Sequence, residues 1–581
     1  MTLVDDAPAA EATSLVGPAP YVASALRWSP ALVATTLAGV LHLLWWRLLA
    51  TPGGDIAAQD AWAAFAKAHP GSAYDLAWYG GMHPVSYSAV SPYLMAVLGV
   101  RPTMVVAGTL ATGLLAVLLE RHLRHPMLPA AFGALALTGN AVSGRVTFGL
   151  GLVFGLAALV AVFAWPAAAE GRAAFRWLRI VVIVVLTALT TAASAVAGLF
   201  LGLVAAAMWL TGDRRLAYAI GLPSVVVVAV SAWLFPLSGV QPMHWSSAIL
   251  PTAAALSAVL LFPREWRMLR VLGAVYLVAV QLAWLVPSPV GTNISRLGLI
   301  FAVVGLVATV PGRAWVRSFA VVRFGRTVTV GMLGAALITS VSWQVGLAAR
   351  DAINTAPPSS LSLDLQPLVQ ALGARGAGLG RVEVVPTASH REATALAPYV
   401  NLARGWNRQA DAARNRLFYR DQPLTAEAYQ RWLSRWAVRF VVLSTATPDA
   451  AAVEEAALVA AGLPYLDEVW SNADWTVYEV QKPRALVSWP ARVLAFDAAQ
   501  VTLYTPGPGP VVVRVAYSRW LGLLDEAGRP LPAESGACLS GLAADLQIEH
   551  PRDNWLVLHA PQAGVYRIGA PYKMPRGSAC P

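Results

Sequence analysis

The chain has 581 residues, 57% of them apolar and only 13% charged, and its mean hydropathy is +0.57. Soluble domains carry roughly 25% charged residues, so a purely soluble enzyme is excluded. The formal charge of +11 does not point to nucleic acid either. Residues 1–350 hold 21 Lys+Arg against 10 Asp+Glu, whereas 351–581 hold 21 against 21, so the surplus lies in the apolar half, where basic loops set topology.

The first 28 residues form a polar, acidic tail (Asp5, Asp6, Glu11) without a cleavable signal pattern. Residues 29–350 then read as a membrane domain of about eleven spans, at 31–49, 102–119, 127–143, 147–168, 180–193, 194–210, 216–236, 246–262, 271–287, 297–311 and 327–346. The run 180–210 is too long for one span, and the polar stretch Thr190-Thr191-Ala-Ala-Ser194 marks its break. One set of loops is rich in arginine: Arg121 and Arg124, then Arg172, Arg176 and Arg179, and so on to Arg323 and Arg326. The alternate loops carry little beyond Lys67, Arg101, Arg145 and Arg296. The positive-inside bias places the arginine-rich loops and the N-terminus in the cytoplasm, and the odd number of spans puts the C-terminal half outside.

With sides assigned, only Asp55, Asp60 and Asp75 among the acids of the membrane half face outward, all in the first outer loop, 51–88. No span carries a carboxylate in its middle, which argues against an ion-coupled transporter. The segment 56–69 can form an interfacial helix with Ile56, Trp62 and Phe65 on its apolar side. It leads into Tyr74-Asp-Leu-Ala-Trp78-Tyr79-Gly80-Gly81-Met-His83-Pro84-Val-Ser86-Tyr87, where aromatics and paired glycines suit a sugar or lipid-phosphate site. The stretch 90–100 reads as a partly inserted helix.

A first span leading into Gly53-Gly54-Asp55, an acidic first outer loop with an interfacial helix, and Trp78-Tyr79-Gly80-Gly81-x-x-Pro84 before Ser91-Pro92-Tyr93 resemble the membrane glycosyltransferases of the GT-C superfold. They especially resemble the bacterial group of YfhO-like and 6-pyruvoyl-tetrahydropterin-synthase-related membrane proteins. The layout of spans followed by an outer soluble region is also similar to actinobacterial cell-envelope mannosyl- and arabinofuranosyltransferases. The resemblance covers the general layout of the whole chain, with its specific motifs confined to residues 52–93. It implies a polyprenyl-phosphate sugar donor and a base or metal ligand from the first outer loop, where Asp55 matches by position. No Asp-x-Asp or Glu-x-Asp pair accompanies it, so no cofactor is assigned and a divalent metal stays open.

Each candidate carries two readings. Asp55 can take a proton from an acceptor hydroxyl or cap the helix that begins at Ile56. Asp60, on another face of that helix, is either a second catalytic carboxylate or an exposed polar residue, and Asp75 either acts in catalysis or orders its loop. His83 can hold a phosphate or donate a proton, or make a structural hydrogen bond. Trp78, Tyr79 and Tyr87 are expected to line the sugar pocket. Arg145 and Arg296, at the outer ends of later spans, suit phosphate oxygens or snorkel to headgroups. Gln241, His244 and Trp245 are acceptor contacts or plain loop residues, and His42 and Arg47 in the first span are functional or pair with a neighbouring helix.

After a Pro357-Pro358-Ser359-Ser360 linker, residues 351–484 read as an α/β domain, with helices at 365–372, 425–436 and 449–461 and strands at 380–385, 439–443, 468–470 and 475–480. Its Arg404-Gly-Trp406-Asn-Arg408 stretch is a ligand contact or, on the blander reading, a solvated loop. Residues 485–581 alternate like a β-sandwich, with strands at 501–504, 511–517, 555–559 and 566–568. Cys538 and Cys580 are expected to form one disulfide in an oxidising compartment, with two free thiols as the alternative. No phosphate loop, dinucleotide fingerprint or zinc-hydrolase motif occurs.

The expected protein is therefore a multi-pass, GT-C-like protein of a bacterial plasma membrane, with an extracytoplasmic α/β domain and a β-sandwich-like module. It would move a sugar from a polyprenyl-phosphate donor to an envelope glycan or lipid, in contact with membrane lipid and with no nucleic-acid partner. A transporter or flippase and a non-catalytic envelope-binding scaffold are the competing readings.

Overall fold

The structure is a computed structural model, describing residues 29–165, 173–236, 239–355, 365–420, 422–531, 536–542, 553–572 and 579–580. The acidic tail, the loop residues Glu170 and Arg172, and the Pro357–Ser360 linker lie outside the described residues.

Among the described residues, the apolar half is mainly helical. In chain order it comprises α1 (Pro30–Leu48), α2 (Asp55–Ala68), α3 (Pro84–Tyr87), α4 (Ser91–Leu98), α5 (Val100–His122), α6 (Met127–Val142) and α7 (Val146–Phe163). There follow α8 (Ala173–Ala193), α9 (Ala195–Thr211), α10 (Arg214–Leu234), α11 (Trp245–Leu261), α12 (Arg267–Leu285), α13 (Ser295–Thr309) and α14 (Phe319–Thr355). Among the described residues, eight helices are long and apolar enough to cross a membrane, and α6, α9 and α11 are shorter apolar helices at the other three expected spans. Large apolar side chains such as Val225, Trp233, Val278 and Leu285 stand exposed on them, as a lipid-facing surface requires.

Local chemistry sets the breaks. Ser194 ends the run 180–210 where expected: α8 stops at Ala193, and the Ser194 hydroxyl accepts the Ala197 N–H at 3.4 Å as the cap of α9. The last helix breaks at Gly325, whose φ of 81° lies in the left-handed region. Small residues let the helices close on one another. A Cβ on Gly151 would meet both Ala197 and Ser194 at 2.8 Å. His42 Nδ1–H bonds the Ala38 carbonyl at 2.8 Å, and its ring lies against Gly108 of α5.

The loops expected outside meet on the face that carries the C-terminal half. At the opposite ends the arginine-rich turns gather, where Pro263 bridges Ser318 and Glu265 pairs with Arg317 at 3.0 Å.

Beyond α14 lies an α/β unit with strands β1 (Arg381–Val384), β2 (Asn401–Leu402), β3 (Val438–Ser444), β4 (Leu466–Ser471) and β5 (Trp475–Val480) in the order β2-β1-β3-β5-β4. The first three are parallel, and β5 runs antiparallel to β3 and β4. The helix Ala426–Arg435 starts at Thr425, whose hydroxyl accepts the Ala428 N–H at 3.2 Å. Arg404, read with its neighbours as a ligand contact or a solvated loop, is buried between Glu383 and Glu455.

The last unit has two antiparallel sheets, a four-stranded one of β6 (Arg492–Phe496), β7 (Gln500–Thr505), β12 (Gly564–Gly569) and β9 (Gly522–Leu524), and a three-stranded one of β10 (Cys538–Gly541), β11 (Trp555–Ala560) and β8 (Gly509–Ala516). Leu503, Val513, Leu556 and Leu558 fill the space between them. Cys538 and Cys580 form the disulfide.

Candidate functional site

The loop 51–88 is the hub of the molecule. Tyr74 and Leu76 pack into the core of the β-rich unit, whereas Trp78, Tyr79 and Met82 pack into that of the α/β unit. Between the loop, the domain-facing ends of the membrane helices and the α/β unit lies a cavity of about 770 Å³, within the roughly 300–1,000 Å³ range of ligand pockets.

Asp55 opens α2 and faces this cavity. Gly54, with φ 63°, takes the cap position and no side chain caps the helix, so the Asp55 carboxylate is not consumed as a cap. The start of the loop is clamped from two sides: the Gly54 N–H bonds the Ser389 carbonyl at 2.7 Å, and the Thr51 hydroxyl bonds the Thr355 carbonyl at 2.9 Å. The Asp55 side chain is 38% exposed, and the guanidinium of Arg145 stands 3.8 Å away.

Arg145 precedes α7 and also reaches Asp351 at 3.8 Å. Its buried Nε has no hydrogen-bond partner among the described residues. Arg296, in the first turn of α13, lies over the Phe148 ring at 5.3 Å. The N-terminus of α13 therefore brings both a side-chain cation and the positive end of its dipole to the cavity. Tyr87 lines the same wall, its hydroxyl accepting from Gln59 Nε2 at 3.2 Å while Gln59 accepts from Thr147. Burial, and then the Asp55 charge, push the Tyr87 phenol up from its usual value, so it remains a proton-bearing donor.

Sequence reasoning passed over Arg350 and Trp343 at this cavity and offered Trp406 and Arg408 as ligand contacts. Arg350 and Trp343 come from the end of α14, and Trp406 and Arg408 come down from the α/β unit. Arg408 is held by two bonds to Asp449 at 2.9 and 2.8 Å, and His390 stacks on Trp406 with 3.4 Å between ring centroids. Burial alone would raise the Asp449 carboxyl, but hydrogen bonds from His390 and Arg408 hold it well below the ordinary range. The signal for Trp406 and Arg408 was present as an arginine/aromatic cluster. Gln241 also lines the cavity and bonds Thr292 at 3.0 Å, whereas His244 is occupied by Ser246 at 2.9 Å and Trp245 is exposed.

Four expected site residues lie elsewhere. Asp60 pairs with Arg101 in a separate hollow; burial raises its carboxyl and the guanidinium opposes that shift. His83 is buried, its Nδ1–H donating to the Ala73 carbonyl at 2.8 Å and its Nε2 facing the Ser518 hydroxyl at 3.1 Å. Trp78 donates to the Ala393 carbonyl at 3.3 Å and stands edge-on to Trp62. The Tyr79 hydroxyl donates to the Gly405 carbonyl at 2.7 Å and accepts the Asn407 N–H at 3.1 Å. These last two rings dock the loop onto the α/β unit instead of lining a sugar pocket. Gly405 is required there, because any side chain would overlap the Trp78 ring.

A second, apolar groove of about 320 Å³ runs among α5, α7, α9, α12 and α13. Its lining begins where the cavity's ends: Gly151 lies about one turn beyond Phe148, and Ala197 and Leu297 follow Val196 and Arg296. As for a metal, no group of three or more His, Cys, Asp or Glu converges among the described residues. Asp55 is the sole carboxylate among the described residues lining the cavity, and Asp351 stands beside Arg145 at 3.8 Å.

Residues 488–581 match a family model described as "Domain of unknown function (DUF8823)". No curated protein matches the chain. Among solved structures, the chain is similar to the oligosaccharyltransferase of Archaeoglobus fulgidus, with 10% identity over 71% of this chain and 69% of that one, at a TM-score of 0.44. It is also similar to two structures of the arabinofuranosyltransferase AftD from Mycobacteria. One has 12% identity over 96% of this chain (TM-score 0.40) and the other 16% over 85% (TM-score 0.41), and the chain spans only 61% and 43% of their lengths.

Proposed function

We propose that this is a membrane glycosyltransferase, moving a sugar from a polyprenyl-phosphate donor to a glycan or lipid acceptor on the extracytoplasmic face. The observation that carries the reading is the meeting of Asp55 with Arg145, Arg296, Arg350 and Arg408 around one cavity that adjoins an apolar groove. A lipid-linked sugar phosphate has the same division of character: an anionic head bearing the sugar, and a long apolar tail.

In this reading the phosphate lies against Arg145 and Arg296, and the unpartnered Arg145 Nε finds an oxygen there. The acceptor hydroxyl attacks the sugar's anomeric carbon and loses its proton to the Asp55 carboxylate. The bond from that carbon to the phosphate oxygen breaks. The polyprenyl phosphate departs with the bonding electrons, and the arginines stabilise the charge as it develops. Tyr87 and Trp406 supply sugar contacts at the cavity wall.

The test is a density map of the chain with a polyprenyl-phosphate sugar bound. The reading expects the phosphate between Arg145 and Arg296 and the first isoprene units in the groove bounded by Gly151, Ala197 and Leu297. A headgroup bound away from Asp55 would remove it.

A further inference from the structure

A larger hollow, about 1,250 Å³, lies between the two C-terminal units and the loop 51–88, with Tyr74 and His83 in its wall. It shares Ser86 with the cavity at Asp55 but none of that cavity's charged residues, and it exceeds the roughly 300–1,000 Å³ of a small-molecule pocket. Seven arginines line it, and among the described residues lining it Asp553 is the sole carboxylate.

Two of these arginines are committed to structure. Arg435 forms bidentate bonds to Asp553, and Arg414 holds the Tyr79 and Gly81 carbonyls at 2.6 and 2.8 Å. Arg416, Arg420, Arg431 and Arg519 are exposed, Arg519 lying over the Trp233 ring at 5.1 Å, and no carboxylate among the described residues pairs with them. They come from three separate stretches of chain, so folding has gathered like charges that repel one another. The tryptophans of the wall (Trp432, Trp436 and Trp555) are buried, so the exposed chemistry is guanidinium and not an aromatic platform for a neutral sugar.

The geometry points to a binding site for an anionic polysaccharide, a segment bearing carboxylates or phosphodiesters, in this interdomain cleft. Guanidinium groups match either anion through paired N–H donors. Concavity favours a chain laid into the cleft over a flat anionic membrane, which meets protruding cations. The inference goes beyond glycosyl transfer and does not depend on the roles given to Asp55 or Arg296.

The test uses the full-length chain in detergent with three probes: polygalacturonate, poly(glycerol phosphate) and neutral dextran. A variant combining Arg416→Gln, Arg420→Gln and Arg431→Gln alters only exposed side chains, so folding is not at risk. The expected result is salt-sensitive binding of at least one anionic polymer, weakened about tenfold or more in the variant, and no binding of dextran. Which polymer binds separates uronate from phosphate recognition. Equal binding by variant and parent, equal binding of dextran, or arginine-dependent binding to phosphatidylglycerol vesicles without binding of either polymer would overturn the proposal.

Discussion

The carboxylate of Asp55 and the guanidinium of Arg145 stand 3.8 Å apart, too far for a hydrogen bond and close enough for strong Coulomb attraction. The gap leaves an oxygen of Asp55 available to an acceptor hydroxyl and a buried N–H of Arg145 available to an anion. The other positions at the cavity are best understood through this pair.

Arg296 tests the anion side. Arg296→Gln removes a cation without removing much volume, and the loss of charge-assisted hydrogen bonds is expected to lower kcat/KM for the lipid-linked donor by roughly 10–100-fold. Arg296→Lys is expected to recover only part of this, because an ammonium lacks the planar fork. Steady-state kinetics against donor concentration checks both; wild-type values in the Gln variant would place the phosphate elsewhere.

Tyr79 tests the docking of the loop 51–88. Tyr79→Phe deletes the bond to Gly405 and leaves the buried Asn407 N–H without its acceptor, which costs about 1–3 kcal/mol. Thermal unfolding of the purified chain is expected to shift down accordingly. A fall in activity with unchanged stability would return Tyr79 to the sugar pocket.

These two residues also show what could be read from sequence and what could not. The apolar runs and their capping residues marked the helices down to the break at Ser194, because hydropathy and local capping act within a few residues. Asp55, Tyr87, Arg145 and Arg296 stood out by charge and position. Trp78 and Tyr79 looked the same as ligand-stacking aromatics, since their partners Ala393, Gly405 and Asn407 are more than 300 residues away. For the same reason Arg350 and Arg408 gave no sign of joining Arg145: only the return of the α/β unit over the helix ends brings them together.

Asp75 gives a pH dependence. Its carboxyl is fully buried, with one hydrogen bond from the Ala77 N–H at 2.8 Å, and burial pushes its pKa from 3.8 up to about 7. The folded state therefore holds this proton more tightly than the unfolded state. Stability is unaffected by Asp75 below about pH 4 and falls as pH rises towards 7, by at most about 4 kcal/mol. Asp75→Asn keeps an acceptor for Ala77 and cannot ionise, so its Tm is expected to lack this decline between pH 4 and 7. Parallel pH profiles for the two proteins would contradict the assignment.

The disulfide gives a redox dependence. Cys538 and Cys580 are 42 residues apart, and closing a loop of that length in the unfolded chain stabilises the fold by about 4 kcal/mol in the chain-entropy model. Reduction, or Cys580→Ser, is expected to lower the unfolding temperature of the β-rich unit, read by thermal scans with and without reductant. Identical scans would mean that the cross-link adds nothing to stability.

The most direct test of the central claim is turnover by Asp55→Asn in proteoliposomes supplied with a polyprenyl-phosphate sugar and an acceptor glycan. The substitution preserves shape and removes the base, so transfer is expected to fall by about a hundredfold to ten-thousandfold while the donor still binds. Turnover equal to that of the unaltered chain would contradict the account.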